Sequence, residues 1–371
     1  MMVRRAAYLC AGLAFVFLSL PFFLSAQQGE ETAPAGKTGS LIFMPIVFYS
    51  PETRWAGGAG GIWTFRPKGA AAQTRPSAVS FIAYYTQNKQ YMITAKPEIY
   101  LANGAFFIAG NLEISRYPGR FYGIGSETPD SNREDFTPYQ VSLEAAVWRK
   151  ISPGSGIYAG LVYNFDHYAF ADFDPAGRLA AGEIAGTNGG VVSGLGVQCK
   201  WDDRDNVFTP RRGRQFSFSA SLYHALFGSR YNFAKIQLDL RQFFPLFKSH
   251  SLAVQGIVRT TLGSVPFVAL PKLGGDSVMR GYYSGRYRDK TMAMLQAEYR
   301  CPLVWRFGLA AFGGFGDVAP DLGRLAPGRF KFTGGGGIRF KVDPKEGAVI
   351  RFDVGFGKGV SGVYFTAGEA F

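Results

Sequence analysis

The pattern that decides the fold is plainest in residues 350–356, IRFDVGF, where apolar side chains alternate with polar or small ones. Successive side chains of a β-strand point to opposite sides of the sheet, so this period of two predicts a strand with one apolar face. The same period runs through residues 138–151, 230–245 and 329–341. Working outward from these stretches, we predict an all-β chain with sixteen strands between residues 41 and 371.

The composition fits this prediction and excludes several other classes of protein. The 371 residues include 34 Phe, 19 Tyr and 48 Gly, and only 18% are charged. An apolar fraction of 47% is too high for a disordered chain. Beyond the N-terminus no apolar run reaches the roughly 18–20 residues that a membrane-spanning helix needs. The net charge of +13 is scattered, so we predict no nucleic-acid binding and expect anionic lipids, including lipopolysaccharide, as the acidic partners.

The N-terminus has the features of an export signal. Arg4 and Arg5 precede an apolar stretch over residues 6–24, and small residues follow at 25–26. A retained membrane anchor is the alternative, and Pro21 argues against it. We therefore expect a cleaved signal peptide over residues 1–26, a short periplasmic segment over 27–40 and a barrel domain over 41–371.

The lengths of the connections favour a membrane barrel over a soluble sandwich. Four long segments follow odd-numbered predicted strands and so lie at one end of the sheet; they are residues 117–137, 171–189, 263–290 and 319–328. Two nine-residue segments, 67–75 and 204–212, follow even-numbered strands and weaken the rule. Long loops at one end and short turns at the other are typical of transmembrane antiparallel β-barrels of the bacterial outer membrane. A soluble β-sandwich would explain the alternation but not this asymmetry or the export signal.

The most specific motif is LGGDSVMRGY, residues 273–282, in the longest loop. Downstream of it, Glu298 and Asp317 lie on the next two predicted strands. An Arg-Gly-aromatic tip followed by strands with acidic residues resembles the BamA/TamA family, whose barrel is known as the bacterial surface antigen domain. The loop segment FYGIG, residues 121–125, agrees with the resemblance.

The resemblance implies that the long loop folds into the barrel lumen and is held there. On the twelfth predicted strand Leu295, Ala297, Tyr299 and Cys301 form the apolar set, so Glu298 points inward. A buried guanidinium is costly unless it is paired. The resemblance implies that Arg280 bonds Glu298 and Asp317, and we expect this loop–lumen lock to be structural and not catalytic. The lock comprises Arg280, Gly281, Tyr282, Glu298 and Asp317. The alternative is that Arg280 faces solvent.

Two further segments resemble family motifs. The turn motif comprises Asp203, Arg204, Asp205, Pro210 and Gly213. The end of the chain resembles a C-terminal targeting strand, comprising Val363, Phe365, Gly368 and Phe371. In an uninterrupted strand Val363, Phe365 and Phe371 would share the apolar face.

The resemblance implies a barrel that assists insertion or translocation of proteins or lipids at the outer membrane, itself assembled by the barrel-assembly machinery. The alternative is a passive pore or structural surface barrel. The 14 residues 27–40 leave no room for a POTRA domain, so a separate periplasmic protein is the expected partner. His167, His224 and His250 show no metal-ligand spacing and no nucleophile partner. We therefore expect no enzymatic activity, cofactor or metal.

Overall fold

The computed structural model of the chain describes residues 39–50, 54–67, 77–151, 156–342 and 349–371. The predicted signal peptide, residues 1–26, and residues 27–38 of the predicted periplasmic segment lie outside these ranges. Apart from Gly39 and Ser40, everything described below belongs to one compact unit, Leu41–Phe371.

The described residues form β-strands joined by turns and loops. The strands are β1 Gly39–Ser50, β2 Arg54–Phe65, β3 Ser77–Thr86, β4 Tyr91–Leu101, β5 Phe106–Arg116, β6 Gly119–Phe121, β7 Glu134–Lys150, β8 Ile157–Phe173, β9 Gly190–Asp202, β10 Gly213–Tyr223, β11 Phe233–Pro245, β12 Ser251–Gly263, β13 Lys272–Leu273, β14 Tyr287–Arg288, β15 Thr291–Pro302, β16 Phe307–Ala319, β17 Lys331–Lys341, β18 Val349–Gly357 and β19 Val360–Ala367. Single 3₁₀ turns occupy Ala102–Gly104, Asp130–Asn132, Ala225–Phe227, Leu322–Arg324 and Pro327–Arg329. Within the described ranges, no helix has the length and apolar character to cross a membrane.

Seventeen of the strands form one antiparallel sheet in which each long strand pairs with the next long strand along the chain. The short β6 pairs with the start of β7, and β13 pairs with β14 as a separate hairpin. The all-β prediction is confirmed, and each predicted strand overlaps a strand of the sheet. The three short strands were not predicted, because two or three residues are too few to show a period.

The two faces of the sheet differ in the way that the alternation predicts. On the outer face apolar side chains are exposed, for example Leu295, Phe332 and Phe356. On the opposite face, here called the inner face, the neighbouring positions of the same strands carry buried charged groups such as Glu298 and Asp353. The residues that would be buried in a soluble core are therefore the ones exposed here.

Three of the four long loops meet in one apolar cluster at one end of the sheet, which we call the loop cluster. It is built from Phe121, Leu179, Ile184, Val265, Phe267 and Leu270 together with strand residues Phe136, Val192, Tyr223 and Phe233. Phe267 lies at its centre, with ring centroids 5.6 Å from Phe121 and 5.3 Å from Phe136. For these three loops, the predicted location at one end of the sheet is confirmed.

Candidate functional site

The loop between β12 and β15, residues 264–290, places a tight tip against the inner face. Its two arms pair as β13 and β14, and the chain between them reverses through residues with positive φ, among them Met279 and Gly281. At Gly281 φ is +120°, and an added Cβ would lie 2.7 Å from the main-chain carbon of Phe356. Only glycine satisfies both the backbone angle and the close approach, so the tip depends on residue 281.

Arg280 projects from this tip and is buried, with 1% of its side chain exposed. Its guanidinium lies 2.5 Å from Glu298 on β15 and 2.6 Å from Asp353 on β18. The ring of Phe312 lies 3.5 Å from the guanidinium carbon. Two carboxylates and an aromatic face all favour the positive charge, so the guanidinium is retained in a site that excludes water.

Asp353, and not Asp317, is the second acidic partner of Arg280, which corrects the sequence prediction. Glu298 is paired in register with Phe312 of β16, whereas Asp317 lies five residues further along that strand, about 17 Å away at 3.4 Å per residue. The Asp317 carboxylate instead accepts a hydrogen bond from Ser126 and lies 3.8 Å from Arg329. Through the register of β15 to β18, Glu298 lies level with Phe312, Gly335 and Gly355, and Asp353 lies only two residues from Gly355 on the same face of β18.

Three more arginines surround the same two acids. Glu298 also forms ion pairs with Arg300 at 2.8 Å and with Arg339 at 3.1 Å. Asp353 likewise receives hydrogen bonds from Arg339 and Arg351. Each carboxylate therefore faces three guanidiniums. We call these four arginines, together with Glu298 and Asp353, the ion network.

Two further acids, Glu369 and Asp276, lie next to the ion network and balance its remaining positive charge. Glu369 lies 2.8 Å from Arg339 and is buried. Asp276, in the loop itself, lies 3.8 Å from Arg351 and is half-exposed. With both included, four guanidiniums face four carboxylates. Such balance is what a buried set of ions requires.

Glycines on the inner face of β18 make room for the tip. A Cβ at Gly355 would lie 2.7 Å from the carbonyl carbon of Arg280, and one at Gly357 would lie 2.5 Å from the ring of Tyr282. The tip therefore rests directly on main chain. The alternation that assigned Arg351, Asp353 and Gly355 to one face of this strand is the sequence signal that could have identified Asp353.

Tyr282 is also buried and connects the tip to three strands. Its hydroxyl donates to the carbonyl of Phe332 on β17 at 3.1 Å and accepts from the N–H of Lys358, after β18, at 3.0 Å. Tyr364 on β19 donates to the carbonyl of Tyr282 at 3.3 Å and accepts from the N–H of Gly281 at 2.8 Å. The predicted lock residues 280–282 and Glu298 are thus brought together.

A second attachment joins the loop to the predicted loop motif, residues 121–125. Arg286 donates to Asp130 at 2.9 Å and lies over the ring of Tyr122 at 4.4 Å. Arg288 donates to the carbonyl of Arg120 at 2.9 Å and accepts, through its own carbonyl, the N–H of Gly125 at 2.9 Å. Burial lowers the pKa of Arg288 to about 10, which leaves it charged at neutral pH.

The predicted turn motif is a hydrogen-bonded turn between β9 and β10. Asp203 accepts the N–H of Arg214 at 2.6 Å, and Asp205 accepts the N–H of Arg211 at 2.9 Å. Arg204 pairs with Asp202, and Gly213 has a φ of +99°. Pro210 connects the turn to the ion network, because its carbonyl accepts from Arg300 at 3.4 Å. Across the described residues no three His, Cys, Asp or Glu side chains are grouped so that they could hold a metal ion.

The end of the chain departs from the sequence prediction. Val363 and Phe365 face outward and are exposed, as expected, but Phe371 is buried against Phe243 and Ala253. The prediction that Phe371 shares their face is wrong, because β19 ends at Ala367 and Gly368, with φ +84°, turns the chain out of the strand. The main-chain oxygen of Phe371 accepts a hydrogen bond from Arg300 at 2.8 Å.

Known structures of the same fold agree with this architecture. BamA from Haemophilus ducreyi lacking POTRA domains 1–3 is 13% identical, with a TM-score of 0.58 over 89% of this chain and 69% of its own. CdiB from Escherichia coli is 11% identical, with a TM-score of 0.56 over 89% of this chain. CdiB from Acinetobacter baumannii is 12% identical, with a TM-score of 0.52 over 86% of this chain. This chain spans 62% and 56% of the two CdiB chains. At these identities the likeness concerns the fold.

Comparison with curated proteins found no match. The family model described as the Omp85 superfamily domain matches residues 102–371, which include the loop tip, the acidic residues that it contacts and the turn motif. The chain therefore belongs to the Omp85 superfamily.

Proposed function

We propose that residues 41–371 form a closed barrel of sixteen membrane-spanning strands in the bacterial outer membrane, preceded by an export signal at residues 1–26 and a periplasmic segment at 27–40. Most of the strands have nine residues or more, about the number that a tilted strand needs to cross a bilayer. The exposed outer face is apolar, as contact with lipid requires. Membership of the Omp85 superfamily supports this placement.

We further propose that the barrel assists insertion or translocation of proteins or lipids at this membrane. The observation that carries the proposal is the buried contact of Arg280 with Glu298 and Asp353, which fixes a loop along the inner face. Together with the loop cluster, this loop occupies space that a passive pore would keep open, so the structure does not favour the passive-pore alternative. The proposed partners are lipids, lipopolysaccharide, the barrel-assembly machinery during biogenesis and a periplasmic protein.

Complementation of a depleted strain tests the proposal. Cells that lack the protein should show an altered profile of outer-membrane proteins or lipids, and the wild-type chain should restore it. Arg280→Ala should fail to restore it. Arg324→Ala removes an exposed arginine from the loop between β16 and β17, and it should restore the profile as well as wild type does. An unaltered profile after depletion, with steady conductance of the purified protein in planar bilayers, would contradict the proposal.

A further inference from the structure

One corner of the sheet is incomplete, at the end where the loop cluster lies. β17 pairs with β16 as far as Lys331, but its pairing with β18 begins only at Gly334, opposite Phe356. The hydroxyl of Tyr282 fills part of the difference, because it bridges the carbonyl of Phe332 and the N–H of Lys358. These two groups lie where the next rung between β17 and β18 would be. The Tyr282 side chain thus replaces one main-chain hydrogen bond between β17 and β18.

Outside Tyr282, the missing rungs leave a cavity of about 370 Å³, which we call the notch. Its walls include Phe330, Phe332 and Phe356. Phe332 is 66% exposed and Phe356 is 57% exposed, so the notch opens on the outer face. Exposed aromatic walls next to a membrane provide a surface for acyl chains.

The charge of the notch is positive. Lys331 and Lys358 line it, and no acidic residue does. The Lys331 ammonium is already hydrogen-bonded on the inner side of the sheet, where it donates to Ser126 at 3.0 Å and to the carbonyl of Arg329 at 2.8 Å. Lys358 is exposed in the hairpin turn between β18 and β19, and its ammonium forms no hydrogen bond or ion pair with the described residues. One cation therefore remains available at the mouth of the notch.

An apolar cleft that leads to an available ammonium is complementary to an amphiphile with an anionic head. We propose that the notch binds the phosphate-bearing glycolipid of the outer leaflet, with a phosphate on Lys358 and an acyl chain between Phe332 and Phe356. This inference rests on the proposed placement in the outer membrane. Barrels of this membrane carry their longer loops on the extracellular side, so the notch, at the end with the long loops, meets the outer leaflet. Lipopolysaccharide is the lipid of that leaflet with this chemistry.

Native mass spectrometry of the purified barrel in detergent, with defined lipids added, tests the inference. Diphosphorylated lipid A should be retained, whereas dephosphorylated lipid A and phosphatidylethanolamine should be lost. Lys358→Gln should weaken retention about tenfold, the scale of one hydrogen bond between charged groups. Lys358→Arg should keep it. Lys89→Gln removes a lysine from the turn between β3 and β4, at the same end of the sheet, and should have no effect.

Phe356→Ala should also weaken retention of lipid A, whereas Phe218→Ala, at an exposed outer-face position of β10, should not. If Lys358→Gln and Lys89→Gln weakened retention of lipid A equally, or if neither weakened it, the proposed binding of lipid in the notch would be wrong. Equal retention of phosphatidylglycerol would overturn the assignment to a glycolipid. Heat-modifiable mobility, measured on every variant, reports folding of the barrel separately. A wild-type protein that fails to insert into membranes would contradict the proposed function, whatever Lys358 does.

Discussion

At the scale of single residues, the site depends on carboxylates that each pair with several arginines. Glu298 faces Arg280, Arg300 and Arg339 at once, so one acid compensates part of three buried cations. Loss of one arginine leaves two others to neutralise the acid. Loss of the acid leaves three guanidiniums that repel one another in a buried site. The acids are therefore the more sensitive positions.

We expect Glu298→Gln to lower the free energy of unfolding by about 3–5 kcal/mol, the cost of removing one partner from a buried ion pair. Unfolding in urea, followed by the heat-modifiable shift on a gel, measures the change. Glu144→Gln, at an exposed position on β7, should change it by less than about 0.5 kcal/mol. A smaller effect for Glu298→Gln than for Arg280→Ala would contradict the argument about sharing.

The same scale shows how far the sequence could predict the site. The alternation on the twelfth predicted strand placed Glu298 inward, and the motif identified Arg280. Asp353 was missed because its contact with Arg280 depends on the register across β15 to β18, which no single segment encodes. Phe371 was misplaced because alternation was extended past Gly368, where the strand has already ended.

At the scale of elements, three attachments hold the loop over residues 264–290. They are the tip on the inner face, the contacts of Arg286 and Arg288 with residues 120–130, and the loop cluster. The loop cluster is apolar and the tip is ionic and hydrogen-bonded, so separate substitutions can weaken each. Periodicity predicted the long strands but could not predict β6, β13 or β14, which are only two or three residues long and pair within their own connections.

We expect Phe267→Ala to destabilise the loop cluster by about 3–5 kcal/mol, because it empties a fully buried aromatic site. Limited proteolysis should then cut within residues 174–189 or 264–290 faster than in the wild type. Leu226→Ala, at an exposed position in the loop between β10 and β11, is the matched control and should not change cleavage. Unchanged cleavage in Phe267→Ala would contradict a holding role for the loop cluster.

We expect Tyr282→Phe to cost about 0.5–1.5 kcal/mol for each of the two hydrogen bonds that its hydroxyl makes. The direct measurement is hydrogen exchange at the amide of Lys358, which loses its acceptor and should exchange faster. Tyr85→Phe, at an exposed position on β3, is the control. Equal exchange at Lys358 in all three proteins would mean that the hydroxyl does not complete the β17–β18 wall.

At the scale of the whole molecule, one set of ions joins two distant parts of the chain. Arg280 in the loop reaches Glu298, and through Arg339 the same set reaches Glu369 near the end of the chain. Arg300 adds a second connection, from Glu298 to the main-chain oxygen of Phe371. The position of the loop and the position of residues 369–371 are therefore expected to depend on each other.

We expect a double-mutant cycle of Arg280→Ala with Glu369→Gln to be non-additive by about 0.5–3 kcal/mol in the free energy of unfolding, because Glu298 and Arg339 link the two residues through ion pairs. The control cycle pairs Arg280→Ala with Asp166→Asn. Asp166 bonds Ser142 and Gln140 on β7, so this pair should be additive within about 0.5 kcal/mol. Additivity in both cycles would rule out the predicted dependence.

The resting place of the tip also has a consequence for the order of events during folding. The strands that supply the ion pairs and hydrogen bonds of Arg280 and Tyr282, namely β15, β17, β18 and β19, come after the loop in the chain, and Asp353 lies 73 residues downstream of Arg280. The loop is therefore synthesised before the strands to which its tip binds. Contacts of such long sequence separation form late and slowly. Binding of the tip to the inner face is thus a late step in folding, completed only when the β18–β19 hairpin has joined the sheet.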